Sequence, residues 1–105
     1  MAKKSKPKPV IISPQAKEDI NNIIYYLSEN WNQKIVGEFL QKLQAFYYII
    51  SINPRLFGYY NKRKNIRKYA LTKQNIIYFR NRREAIEIIT VFDGRQHPDK
   101  LKNIL

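Results

Sequence analysis

The chain has 105 residues, 44% of them hydrophobic and 13% aromatic, which fits one globular domain and not a disordered chain. It has no cysteine and a single histidine, so disulfides, thiolate metal sites and multi-histidine metal centres are excluded; no metal and no cofactor is expected. Its formal net charge of +12 points to a polyanion or an acidic partner protein, since accumulated charge of one sign works against a compact state.

The positive charge is unevenly distributed. Residues 1–8 carry four lysines and no acid, while residues 9–54 carry three lysines against Glu18, Asp19, Glu29 and Glu38. Residues 55–105 carry thirteen lysines and arginines against Glu84, Glu87, Asp93 and Asp99. The excess therefore sits in the second half and in a short N-terminal tail. Met1 to Pro9, rich in Lys, Pro and Ser, reads as a flexible basic tail preceding one domain over 10–105. Its charge is not followed by an apolar stretch, because Ser13-Pro14 interrupts Ile11-Ile12. No signal peptide or membrane span is expected, and the location expected is cytoplasmic.

In chain order, Val10 to Ile12 reads as a short strand and Ser13-Pro14 as a helix start, with Ser13 the cap and Pro14 the first helical residue. The stripe Ala16, Ile20, Ile23/Ile24, Leu27 carries that helix through Ser28, with Glu18 and Asp19 near its positive end. Asn32 caps a second helix whose stripe is Ile35, Phe39, Leu43, Phe46, Ile50, ending before Asn53-Pro54. The two make an antiparallel helical hairpin. Arg55 to Asn65 reads as a loop. Three β-branched and aromatic segments follow at hairpin spacing, Ile66 to Leu71, Asn75 to Asn81 and Ala85 to Asp93, and Pro98 to Leu105 is expected to form one helical turn or two. The fold class expected is α+β, in the order βααβββ, with the strand and helical hairpin packed on a mostly antiparallel sheet.

The chemistry-bearing residues are basic and aromatic. Gly37, Gly58 and Gly94 are isolated, so no phosphate-cradling loop is expected. A serine-based triad would need His97 beside a serine, and Ser13, Ser28 and Ser51 all read as helix-end residues. Lys62, Arg63 and Lys64 lead into the first sheet hairpin, Arg67, Lys68 and Tyr69 lie along its strand, and Arg80, Arg82 and Arg83 sit at the next turn. Alternation puts Arg67, Tyr69 and Leu71 on one face and Ile66, Lys68 and Ala70 on the other. Arginine and tyrosine on a sheet suit RNA, by phosphate pairing and base stacking, and equally suit an acidic peptide. A plain structural reading also stands, with Tyr69, Tyr78 and Phe79 in the core and the cations as a solvated rim.

The segments ISPQAKEDINNIIYYLSENW, SINPRLFGYY, IRKYALTKQNIIYFR and EIITVFDGRQHPDKL resemble, in register with these elements, the RelE/ParE superfamily of toxins over about residues 10–101. That resemblance implies a toxin of a type II toxin–antitoxin system, held inactive in a hetero-oligomer by an antitoxin with an acidic C-terminal segment. It implies one of two targets: DNA gyrase for a ParE-like member, or messenger RNA on the ribosome for a RelE-like endoribonuclease. The ParE-like branch is favoured, because RelE-like enzymes tend to carry a catalytic arginine early in the central strand, where this chain reads Asn75-Ile76-Ile77. Candidate catalytic residues for the RNA-cutting alternative, which needs no metal, are His97, Arg95, Arg67 and Lys68. Candidate target- or antitoxin-binding residues are Lys62, Arg63, Lys64, Arg67, Lys68, Tyr69, Arg80, Arg82 and Arg95. A reading from another class is a non-toxic RNA-binding domain using the same basic sheet.

Overall fold

In a computed structural model the described residues are 7–105. The elements are β1 (Val10–Ile12), α1 (Pro14–Asn30), α2 (Gln33–Ile52), a 3₁₀ turn (Pro54–Leu56), β2 (Tyr59–Asn61), β3 (Ile66–Ala70), β4 (Asn75–Asn81), β5 (Ile86–Asp93) and α3 (Pro98–Ile104). They form one five-stranded sheet in the order β1-β5-β4-β3-β2, antiparallel except for the parallel pair of β1 with β5. The α+β architecture expected from the sequence is the one observed. No helix among the described residues is long and apolar enough to cross a membrane.

Both helix starts follow their caps. The Ser13 hydroxyl accepts from the Ala16 amide at 3.0 Å, and the Asn32 carboxamide accepts from the Ile35 amide at 3.1 Å, each satisfying an otherwise orphaned donor. The apolar stripes then face the sheet. Ala16 and Ile20 of α1, and Phe39, Leu43, Phe46 and Ile50 of α2, pack with Ile77, Phe79, Ile86, Ile88 and Val91 in the main core. Phe46 is its aromatic centre, stacked on Tyr69 at 5.1 Å and packed on Phe57 and Phe79 at 5.5 and 5.6 Å. The opposite face of the sheet carries a smaller core in which Leu101 of α3 covers Ile66, Tyr78 and Phe92. Strands β4 and β5 are thus covered on both faces, which is why their residues read as a nearly continuous apolar run.

Residues 55–65, expected as a loop, contain the 3₁₀ turn and strand β2. The strand has three residues and pairs only with β3, with a register shift between Tyr59 and Asn61. Its extended conformation comes from that pairing and not from any local alternation, so the stretch between Gly58 and the Lys62-Arg63-Lys64 run carried no strand pattern. The turn to β3 closes through Asn65 at φ 58°, a left-handed conformation that asparagine tolerates better than most residues. Of the tail expected over 1–9, residues 1–6 lie outside the described residues. Lys8 is held, its amide donating to the Ser51 carbonyl at 2.9 Å and its Nζ to Asn81 Oδ1 at 2.8 Å.

Strand β5 contains a bulge. Tyr78 faces Thr90 and Phe79 faces Ile88, so Ile89 has no opposite residue in β4. β1 stops at Ile12, and beyond it the β5 edge is completed by side chains of α1 and its cap. Ser13 Oγ donates to the Ile89 carbonyl at 2.7 Å, and Asp19 Oδ2 accepts from the Val91 amide at 3.1 Å and from the Thr90 hydroxyl. Asp19 thus joins α1 to the sheet. Replacing it leaves a buried threonine hydroxyl and a strand amide without their acceptor, at about 1–3 kcal/mol. We therefore expect Asp19→Ala to lose that much stability in urea unfolding, with Asp19→Asn losing less; a loss under about 0.5 kcal/mol would show that Asp19 does not hold the bulge.

Candidate functional site

The residues singled out from the sequence separate into three places. The first lies beside β2 and β3 on the helix-covered face. Arg67 pairs across from Tyr59, lays its guanidinium 4.0 Å from that ring's centre and donates through Nη1 to the Phe57 carbonyl. Its Nε is buried without a partner among the described residues. This arginine is a packed strut between β3 and the chain leaving α2. Tyr69 lies on the same face, stacked on Phe46 and only partly exposed. The alternation expected for β3 therefore holds, and it takes Arg67 and Tyr69 into the core side. Lys68 points to the other face, where its Nζ lies 6.0 Å from the Tyr60 ring and makes no hydrogen bond or ion pair among the described residues. Tyr60 meets Tyr78 edge-on at 5.0 Å, and burial, followed by the neighbouring Tyr60 hydroxyl, raises the Tyr78 phenol above its ordinary value.

The second place is a cleft of about 540 Å³ between α1, the end of β5 and α3. Arg95 is the only one of the candidates that lines it, with Tyr26, Asn22, Gln74, Asn75 and Lys100 among its neighbours there. Arg95 forks onto Asp93, Nη2 to Oδ2 at 2.7 Å and Nε to Oδ1 at 3.1 Å, and its amide donates to Oδ1 at 2.8 Å. The side-chain hydrogen bond from Arg95 is the main reason the Asp93 carboxyl is held below its ordinary range. The pair is neutral as a unit, so the guanidinium has a standing internal partner. His97 follows at the start of α3 with its side chain 71% exposed. Its Nδ1 accepts from the Asp99 amide at 3.1 Å, which makes it the N-cap of that helix. The sequence reading of His97 as acid, base or turn residue thus meets a capping role in the structure.

The third place is one end of the sheet, where the β2–β3 and β4–β5 turns and the residues before β1 come together. Lys62, Arg63, Lys64, Arg80 and Arg82, separated by up to twenty positions in sequence, are assembled there. The turns are cross-tied: Asn65 Nδ2 donates to the Asn81 carbonyl at 2.9 Å, and Arg80 Nε to the Lys64 carbonyl at 3.1 Å. Arg82 binds Glu87 Oε1 with Nε and Nη2, both at 2.9 Å, and Arg80 Nη1 approaches the same oxygen at 3.6 Å. Lys62 and Arg63 make no side-chain hydrogen bond or ion pair among the described residues. Two further members of this group were not among the candidates, Arg83 in the β4–β5 turn and Lys8, whose contact with Asn81 spans 73 positions and leaves no local trace in the sequence.

In the stretch Asn75-Ile76-Ile77, Asn75 is half-buried and lines the cleft. Ile77 is fully buried in the main core and Ile76 packs against the α3 side. Among the described residues no group of three or more His, Asp or Glu is arranged to hold a metal ion.

No curated protein matches the chain. Its fold is similar to that of the chromosomal ParDE toxin–antitoxin system from P. aeruginosa, with a TM-score of 0.70 at 13% identity over 85% of this chain and 98% of that one. It is also similar to the YoeB–YefM complex from Staphylococcus aureus, with a TM-score of 0.56 at 18% identity over 81% of this chain and 94% of that one. The family model described as ParE toxin of type II toxin–antitoxin system, parDE, matches residues 10–98. The chain belongs to the ParE toxin family of type II toxin–antitoxin systems.

Proposed function

We propose that this toxin acts by binding DNA gyrase and does not cut RNA. The observation that carries the reading is the prior engagement of the groups that cutting would need. Cleavage of a phosphodiester requires a base at the 2′-hydroxyl and cations converging on one phosphate. Arg67 is packed over Tyr59, Arg95 is forked onto Asp93 and His97 uses Nδ1 to cap α3, which leaves Lys68 as the one catalytic candidate without a side-chain hydrogen bond or ion pair among the described residues. Arg67 and Arg95 are also far apart. Arg67 faces Phe79 and Asp93 faces Asn75, so the end of β5 lies four residues along β4 from Arg67's level, roughly 13 Å along the strand. Two cations so placed do not grip one scissile phosphate. The chain offers charge and a rigid surface, which suits binding.

The direct test is supercoiling of relaxed plasmid by gyrase in the presence of the purified toxin. The wild-type protein should inhibit. His97→Asn, which keeps a good helix cap while removing the imidazole, should inhibit within about twofold, whereas loss of a true acid–base group costs about 10²–10⁴-fold. Full supercoiling with wild-type toxin in excess over gyrase contradicts the proposal.

The antitoxin expected for it carries acidic residues together with apolar anchors. The charge excess in residues 55–105 supports the first, and the exposed side chains of Tyr25, Trp31, Tyr48 and Leu56 support the second. Electrostatics then sets the association rate and apolar contact the lifetime of the complex. In stopped-flow mixing with the product of the acidic reading frame expected beside its gene, association should slow about tenfold or more from low to physiological salt. A rate indifferent to salt would rule out an acidic partner segment.

A further inference from the structure

The basic end of the sheet differs from the rest of the surface in what it lacks. Residues 61–65 and 80–85 contain no apolar side chain larger than Ala85, and the flanking Ile66 and Ile86 are fully buried. Lys8, Lys62, Arg63, Lys64, Arg80, Arg82 and Arg83 meet there against only Glu84 and Glu87. A protein partner is held by desolvated apolar or aromatic anchors in pockets, and this end offers none. Single-stranded nucleic acid needs aromatic platforms beside the cations, and neither turn carries one: Tyr59, Tyr60 and Tyr69 are partly exposed but lie in the strands, one face packed on Arg67, Tyr78 and Phe46. What remains is charge with carboxamides on a rigid mount.

The mount is built to hold its shape. Lys8 Nζ donates to Asn81 Oδ1 and to the Arg82 carbonyl at 2.8 and 2.9 Å, joining the segment before β1 to the β4–β5 turn. Asn65 and Arg80 join that turn to the β2–β3 turn at 2.9 and 3.1 Å. These three segments span the sheet from β1 to β2, four strand spacings or roughly 19 Å. A duplex of that length presents about eleven phosphates, one per roughly 1.7 Å of axis. Cations carried over that width on cross-tied turns match a row of phosphates without any rearrangement of the backbone that bears them.

We propose that this end of the sheet, presenting Lys62, Arg63 and Arg83 outward, is a binding site for the phosphate backbone of a nucleic-acid duplex. The site reads charge and not sequence, because contacts to phosphates position a protein without discriminating bases. It goes beyond the choice of gyrase as target: a bare duplex suffices to occupy it.

The test is fluorescence anisotropy of a labelled 30-base-pair DNA duplex, and of an RNA duplex of equal length, titrated with the full chain from 50 to 200 mM salt. Affinity should fall steeply with salt, and the slope of log K against log salt should shrink by roughly three in Lys62→Ala/Arg63→Ala/Arg83→Ala. These side chains make no bonds within the described residues, so the melting temperature should stay unchanged and separate lost binding from lost fold. The control Lys17→Ala/Lys34→Ala/Lys73→Ala removes the same charge elsewhere and should shift the slope by less than one. Tighter binding of one duplex identifies DNA or RNA as the source of the phosphates. Equal slopes for both triple variants mean diffuse attraction and overturn the site. So does an oligo-glutamate peptide of equal charge that binds as tightly as the duplexes. Gyrase is absent from this assay, so its failure leaves the gyrase reading standing, and failed inhibition of supercoiling leaves this site standing.

Discussion

The fold depends on how α1 is fastened to the bulge of β5. A strand with one extra residue leaves backbone groups without a ladder partner, and an unpaired buried group costs as much as a lost hydrogen bond. Here the helix start supplies what the ladder does not. Ser13 is at once the cap of α1 and a donor to Ile89, and Asp19, six residues further on, accepts from Val91 and Thr90. The same two residues therefore end β1, begin α1 and set where that helix lies on the sheet. Once α1 is placed, α2 follows through the short Asn32-capped turn, and Phe46 closes the core against Phe57, Tyr69 and Phe79.

That arrangement decides which charges remain free for a partner. Covering both faces of β4 and β5 takes the middle of the sheet out of contact with large ligands. Arg67 is drawn into packing and Arg95 is drawn onto Asp93, while His97 is used in starting α3. Lys62, Arg63 and Arg83 in the strand-end turns escape these uses, whereas Arg80, Arg82 and Lys8 are tied to Glu87, Lys64 and Asn81. The result is a toxin-family fold with cations gathered at one end of the sheet, and with Arg67, Arg95 and the Nδ1 atom of His97 engaged in structure.

The periodic elements were legible in the sequence for a physical reason. Helices α1 and α2 each bury one stripe, so the spacing of Ala16 and Ile20, and of Phe39, Leu43, Phe46 and Ile50, states both type and orientation. The capping roles of Ser13 and Asn32 were equally local and equally legible. Features set by distant pairing were not. Strand β2 exists through its contact with β3, and Lys8 belongs to the basic end only because Asn81 is there. Asp19 looked like a residue suited to the helix dipole, yet its carboxylate serves a strand more than seventy positions away. At the site, sequence identified the basic residues but not their division. Lys68, Lys62 and Arg63 stay free on the surface, whereas Arg67, Tyr69 and Arg95 are engaged, and only cross-strand register and the Asp93 contact distinguish the two groups.

The central claim is that this member of the family has kept a rigid, charged binding surface without an assembled RNA-cutting centre. The most direct measurement is primer extension on a messenger RNA programmed into purified ribosomes and incubated with the wild-type toxin in excess. The account predicts that the transcript stays intact, with no new 3′ ends at the codon in the A site. Cuts at that codon that need the ribosome and appear with the wild-type protein alone would contradict it.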